Sequence, residues 1–228
     1  MSNSNVGSAS QPLPNGPKLN IGCGPVQPEG WVNIDGSNRA WPASRLSVVD
    51  KSLVKLGVLS PTEFGPHITI HNLFKPLPFA NNSVACIYAG EVWEHFEYDD
   101  TVRLTAECFR VLAPGGVLRI CVPDGPTFWQ RYLDLYNAET SKPKGSRSAE
   151  ALRAHVQMYF SDILTRRIWF GSVGHKHKWQ FDDVQLTALF EQVGFVNVGR
   201  MPFHQSRIPD VSKVERSDFC IVEGSKPS

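Results

Sequence analysis

Lys18-Leu19-Asn20-Ile21-Gly22-Cys23-Gly24 is the stretch from which the fold is read. Four residues of strand character run directly into a Gly-x-Gly turn. Glycines there let the backbone turn sharply and approach a ligand closely. Further strands follow in order. Trp31-Val32-Asn33-Ile34 ends at Asp35, His67-Ile68-Thr69-Ile70 ends at Asn72-Leu73, and Val84-Ala85-Cys86-Ile87-Tyr88 ends at Ala89-Gly90. Val117 to Val122 is short and almost wholly apolar, as suits a strand covered on both faces. Phe195 to Val198 and Phe219 to Val222 read as the last two strands.

Helices alternate with these strands. A patchy one is read around Leu46, Val49, Leu53 and Leu56. A clearer one is capped at Asp99 or Asp100, with Val102, Ala106 and Phe109 at i, i+4 and i+7. Leu104, Cys108, Val111 and Leu112 widen its buried face, and Pro114-Gly115-Gly116 stops it. Another is capped by Asp182, carries Leu186, Leu189, Phe190 and Val193, and closes on Gly194 as its left-handed C′ residue. Strand–helix alternation predicts an α/β, Rossmann-like, doubly wound and mostly parallel sheet. Residues 125–180 interrupt the pattern with an aromatic-rich, partly helical insertion over the ligand edge. Residues 1–17 read as a disordered leader, residues 18–223 as one domain and residues 224–228 as a tail.

Composition narrows the function. Hydrophobic residues make up 41% and charged residues 20%, with a formal net charge of +1, so the basic footprint of a nucleic-acid groove is missing. No apolar run is long enough for a membrane span. The five cysteines show no CxxC pair and four lie in apolar runs, which predicts buried, reduced thiols and a cytoplasmic protein.

The glycine turn is not a full dinucleotide fingerprint. Position 27 is Gln27 instead of a third glycine, and Pro25 and Pro28 disfavour a helix there. A nicotinamide-dependent oxidoreductase is therefore the lesser alternative. The segment between Gly22 and Gly30 is also short for a parallel crossover, so the first helix must be shrunken or the second strand must begin late.

Taken in order, the motifs resemble a branch of the class I S-adenosylmethionine (SAM)-dependent methyltransferases, the methyltransferase type 11-like branch. The resemblance rests on Leu19 to Gly24, Gly30 to Asp35, Leu73 to Phe79, Glu94-His95-Phe96, Arg110 to Gly116, Val122-Pro123-Asp124 and His177-Lys178-Trp179. It implies a seven-stranded sheet whose last strand is antiparallel. It implies a SAM site in which Asn20, Gly22, Cys23 and Gly24 wrap the methionine part and Asp35 holds the ribose. Asn72 and Leu73 would flank the adenine, and Ala89 and Gly90 would lie near the sulfonium. Three positions depart from the branch: Asn72 stands where Asp is usual, Glu91 where His is frequent, and Trp93 where a smaller apolar residue is usual.

Methyl transfer from a sulfonium is an in-line displacement that needs alignment and exclusion of water. A base is needed only where the acceptor must lose a proton. His95, Glu91 and Asp124 are the candidates, each following the fourth or fifth strand; a helix-bracing or turn-forming part is the plainer alternative for His95 and Asp124. Trp93, His175, His177 and Trp179 are candidates for contact with the acceptor. The His175-Lys176-His177 pair could ligate a metal, but no carboxylate or thiol stands at a recognisable spacing, so no metal is expected. The expected acceptor is a small molecule or glycan; a non-catalytic SAM-binding protein is the other alternative.

Overall fold

In the computed structural model, the described part of the chain is residues 12–36, 67–161 and 177–228, with Ser52, Lys55 and Leu56. Its strands are β1 (Lys18–Ile21), β2 (Val32–Asp35), β3 (Ile68–Ile70), β4 (Val84–Gly90), β5 (Leu112–Val122), β6 (Val196–Arg200) and β7 (Cys220–Ser225). Its helices are α1 (Tyr98–Val111), α2 (Gly125–Thr140), α3 (Glu150–Ser161) and α4 (Asp183–Val193). The strands form one seven-stranded sheet in the order β3-β2-β1-β4-β5-β7-β6. Neighbours from β3 to β5 pair in parallel, and β7 runs antiparallel to both β5 and β6. This is the sheet that the alternation and the resemblance imply.

Side-chain alternation divides the core between the two faces of the sheet. Leu118, Ile120 and Val122 of β5 join Leu104, Cys108, Leu186 and Phe190 from α1 and α4. Val117 and Cys121 face the other way, onto Trp31, Tyr88, Ile208, Val211 and Val214. Among the described residues this second face is covered largely by the connection between β6 and β7. Only a 3₁₀ turn, Val211–Lys213, is helical there.

Several boundaries differ from those expected. Residues 22–31 between β1 and β2 are turns and extended chain with no helix, which is how so short a crossover closes. α1 starts after Glu97, so Asp99 and Asp100 occupy its first turn, where acidic groups favour the helix dipole, and neither is the cap. It ends at Val111, before Pro114, because Leu112 already pairs with Val84 as the start of β5. Gly224 and Ser225, read as tail, complete β7, and Lys226 N–H donates to Gly116 O at 2.9 Å. Residues 12–17, read as leader, also engage the domain: Pro17 O accepts from Ala85 N at 3.0 Å. The other end signals hold. Asp182 accepts from Gln185 N at 2.7 Å, and Gly194 is left-handed at φ 107°.

The insertion is helical in its described part, with α2 and α3 packed as a pair. The helix read around Leu46, Val49 and Leu53 lies outside the described residues; Leu56 N donates to Ser52 O at 3.0 Å. All five cysteines are buried and free. No helix among the described residues is long and apolar enough to cross a membrane.

Candidate cofactor and acceptor site

Parallel register brings three strand ends to one level. Ile21 of β1 stands beside Ile34 of β2 and Ala89 of β4. The turn after Ile21 uses two left-handed glycines, Gly22 at φ +65° and Gly24 at φ +51°. A Cβ on Gly22 would lie 2.2 Å from Val92 Cγ2, so the turn rests directly on the residue that follows β4 and Glu91. Cys23 N–H donates to Ile34 O at 3.1 Å and Gly24 N–H to Asp35 Oδ2 at 3.0 Å. Asn20 Nδ2 donates to Val26 O at 2.8 Å and to Asn33 Oδ1 at 3.1 Å, so its amide braces the turn from within. Burial first, and the Asp35 charge second, push the Cys23 thiol up to about 12, so it stays protonated at neutral pH.

This arrangement fits the SAM that the resemblance implies. Gly22 and Gly24 form a cradle of bare backbone beside a largely buried carboxylate. A carboxylate has about four acceptor positions, so Asp35 can hold the Gly24 N–H and still accept from a ribose diol. Ala89 and Gly90 are the last two residues of β4 instead of following it, and both are buried beside this cradle. Asn72 is exposed, and its Oδ1 accepts from Phe74 N at 2.9 Å. In this structure it is therefore a turn-forming residue, while Leu73 packs at the edge of the core.

The three candidate bases each have a defined neighbourhood. Glu91 is left-handed at φ 58° and accepts from Ser217 Oγ at 2.6 Å. Asp124 precedes α2, and its Oδ2 accepts from Thr127 Oγ1 at 2.8 Å and from Arg200 Nη2 at 3.1 Å. His95 closes a 3₁₀ turn, Trp93–His95, and its ring meets His177 edge to face at 5.0 Å.

The acceptor-side expectations fare unevenly. Trp93 is not at the surface: it is fully buried, and its indole N–H donates to Thr105 Oγ1 at 3.0 Å, so the large side chain fills the core beside α1. Trp179 packs on Tyr98 at 5.2 Å and donates to Gln185 Oε1 at 2.9 Å, bracing α1 against α4. His175 lies outside the described residues. His177 is half-buried and sits against Glu94, His95 and Tyr159.

Two features were not read from the sequence: the burial of Glu94 against His177, where a helix-start or fold-bracing carboxylate is the sequence reading, and the network around Arg119. Glu94 is fully buried, and burial pushes its carboxyl up to about 8. Its position three residues after Glu91 gave no sign of His177, more than eighty positions later. Arg119 of β5 is also fully buried, bound to Glu215 at 2.7 Å and Glu223 at 3.1 Å. The signal for it was present: it is the one charge in the apolar run from Val117 to Val122. This network anchors the connection whose Ser217 reaches Glu91. Arg216 of the same connection has Nη1 3.5 Å from where a Cβ on Gly24 would stand.

Residues 19–120 match the family model described as methyltransferase domain. With the sheet order and the glycine–aspartate turn, this match makes that part of the chain similar to a methyltransferase domain, for which S-adenosylmethionine is the implied cofactor. The chain is similar to solved methyltransferase structures. One is from Thermotoga maritima, at 18% identity, over 94% of this chain and 84% of that one, with a TM-score of 0.46. Another is from Methanosarcina mazei, at 17% identity, over 92% of each chain, with a TM-score of 0.48. A third, the methyltransferase SibL, is 13% identical over 93% of this chain, with a TM-score of 0.48. The chain spans about half of SibL, 51% of its length. No curated protein sequence matches this chain.

Proposed function

We propose that the protein methylates a small-molecule or glycan-type acceptor held between the glycine cradle and the α2–α3 cap. The observation that carries this reading is the attachment of the cap to the ligand edge at both ends. α2 begins directly after Asp124 at the end of β5. On the return, Lys178 N and Trp179 N both donate to Glu94 O, at 2.7 and 3.2 Å, and Tyr159 OH donates to Trp179 O at 3.1 Å. A fastened cap suits a small acceptor shielded from water better than a long polymer lying in an open groove. The near-neutral charge agrees.

Bound SAM supplies an electrophilic methyl group. The chain's own contribution is alignment and exclusion of water. Gly22 and Gly24 present backbone, Asp35 orients the ribose, and Ala89 and Gly90 leave space beside them. The contacts of Glu91 with Ser217 and of Asp124 with Arg200 and Thr127 support positioning parts for these two carboxylates. The free, buried cysteines support a reducing, cytoplasmic setting.

Radiolabelled methyl transfer from SAM to panels of phenols, amines and sugars, with transfer RNA and histone as macromolecular comparators, tests the reading. Turnover confined to a small-molecule panel is the expected result. Turnover confined to a macromolecule would overturn the choice of acceptor while leaving the cofactor assignment standing.

A further inference from the structure

Glu94, His95 and His177 offer ligand atoms that all lie within 4.8 Å of one another, although His177 is remote from the other two in sequence. Their approach is built into the backbone. The Glu94 carbonyl accepts N–H bonds from both Lys178 and Trp179, which clamps the chain after His177 to the 3₁₀ turn. Tyr159 stands edge to face on His177, with ring centroids 4.6 Å apart, and closes one side of the cluster.

Within this frame the Glu94 carboxyl is fully buried, and neither of its oxygens has a hydrogen-bond partner among the described residues. His177 Nε2 approaches Oε1 only to 4.0 Å, beyond hydrogen-bond reach. A buried carboxyl stays neutral unless a counter-charge or a coordinated metal ion lets it ionise. Bonds of about 2.0–2.2 Å to a shared zinc ion would put neighbouring ligand atoms roughly 3.3 Å apart in a tetrahedron. From the 4.8 Å limit of the cluster, that spacing asks for at most about 1.5 Å of side-chain closure.

We propose that Glu94, His95 and His177 form a site for a divalent transition metal of the zinc type. Two imidazoles with one carboxylate suit zinc, iron, cobalt or nickel, whereas magnesium and calcium favour all-oxygen shells. The ion joins the turn after β4 to the chain that returns from the cap. It thereby locks the cap over the ligand edge. The site stands independently of which acceptor is methylated.

Calorimetric titration of the full-length, chelator-treated protein with Zn2+, and separately with Mg2+, tests this. One equivalent of Zn2+ should bind and raise the thermal midpoint, because binding to the native state alone stabilises it. Mg2+ should not compete. Glu94→Gln and His177→Ala should each weaken Zn2+ binding by at least about tenfold. Zinc-edge X-ray absorption of the unmodified protein gives a reading that does not depend on the folding of any variant, and should show imidazole and oxygen ligands. Binding no tighter than that of Mg2+, binding unchanged by either substitution, or sulfur in the metal shell would each overturn the proposal.

Discussion

Arg119→Met is expected to destabilise the domain by about 3–5 kcal/mol, the range for removing one partner of a buried ion pair. Arg119 uses all its N–H groups: Nε and Nη2 on Glu215, Nη1 on Glu223, and one further bond each to Gln205 O and Pro202 O. The side chains of Glu215 and Glu223 are 0% and 5% exposed. Without the guanidinium, two buried carboxylates lose their counter-charge and two carbonyls lose a donor. Arg119→Lys keeps the charge but loses the planar fork, so it should fall between wild type and Arg119→Met. Urea unfolding should show a lower midpoint at unchanged slope. A loss below about 1 kcal/mol, ordinary for a surface change, would contradict this account of the network. The damage should extend to the site, because this network anchors the connection bearing Arg216 and Ser217.

Gly22→Ala is expected to weaken SAM binding by at least about tenfold, equivalent to roughly 1.4 kcal/mol, in a protein that still folds. The left-handed backbone costs a Cβ-bearing residue about 1–2 kcal/mol. The new methyl would also stand 2.2 Å from Val92 Cγ2. Val92 is β-branched and stiff at χ1, so the turn must shift and the cradle opens. Gly30→Ala separates the two causes: Gly30 is left-handed at φ +81° but has nothing within 4 Å of its missing Cβ. It should cost stability without a comparable loss of affinity. Val92→Ala added to Gly22→Ala should recover part of the binding, a coupling that a double-mutant cycle measures directly. Equal affinity in Gly22→Ala and wild type would remove the glycine turn from the cofactor site.

The fold was legible because its signals are local. Lys18 to Gly24, the run from Val117 to Val122, and the Asp182 and Gly194 end signals each announce an element within a few residues. Where expectation and structure part, a non-local pairing decides. Leu112 fits the helical periodicity of α1 but is taken by Val84 into β5. Gly224 and Ser225 lack strand composition but are held by their pairing with β5 and β6. Asp99 and Asp100 look like caps, yet the helix begins one residue before them.

The glycine turn and Asp35 were legible as strand-end features for the same reason, since Gly22 and Gly24 follow β1 and Asp35 closes β2. The acceptor side was not. Trp93 follows a strand end, as a ligand residue would, but the turn directs it into the core, where Thr105 accepts its N–H. His177 was read with His175 through the His-x-His spacing. Its partners Glu94 and His95 are supplied by the fold, through a backbone clamp that no spacing reveals. Arg119 was visible as a lone charge in an apolar strand, but its partners Glu215 and Glu223 are joined to it only by the sheet register and the loop over its second face.

The central claim is a SAM site built on Gly22, Gly24 and Asp35. Calorimetric titration of the full-length protein with S-adenosylmethionine, S-adenosylhomocysteine and NADH, alongside Asp35→Ala, tests it most directly. The account predicts binding of the first two compounds, no binding of NADH, and loss of both interactions in a folded Asp35→Ala variant. Failure of both sulfur compounds to bind the wild-type protein, or binding unchanged in the variant, would contradict it.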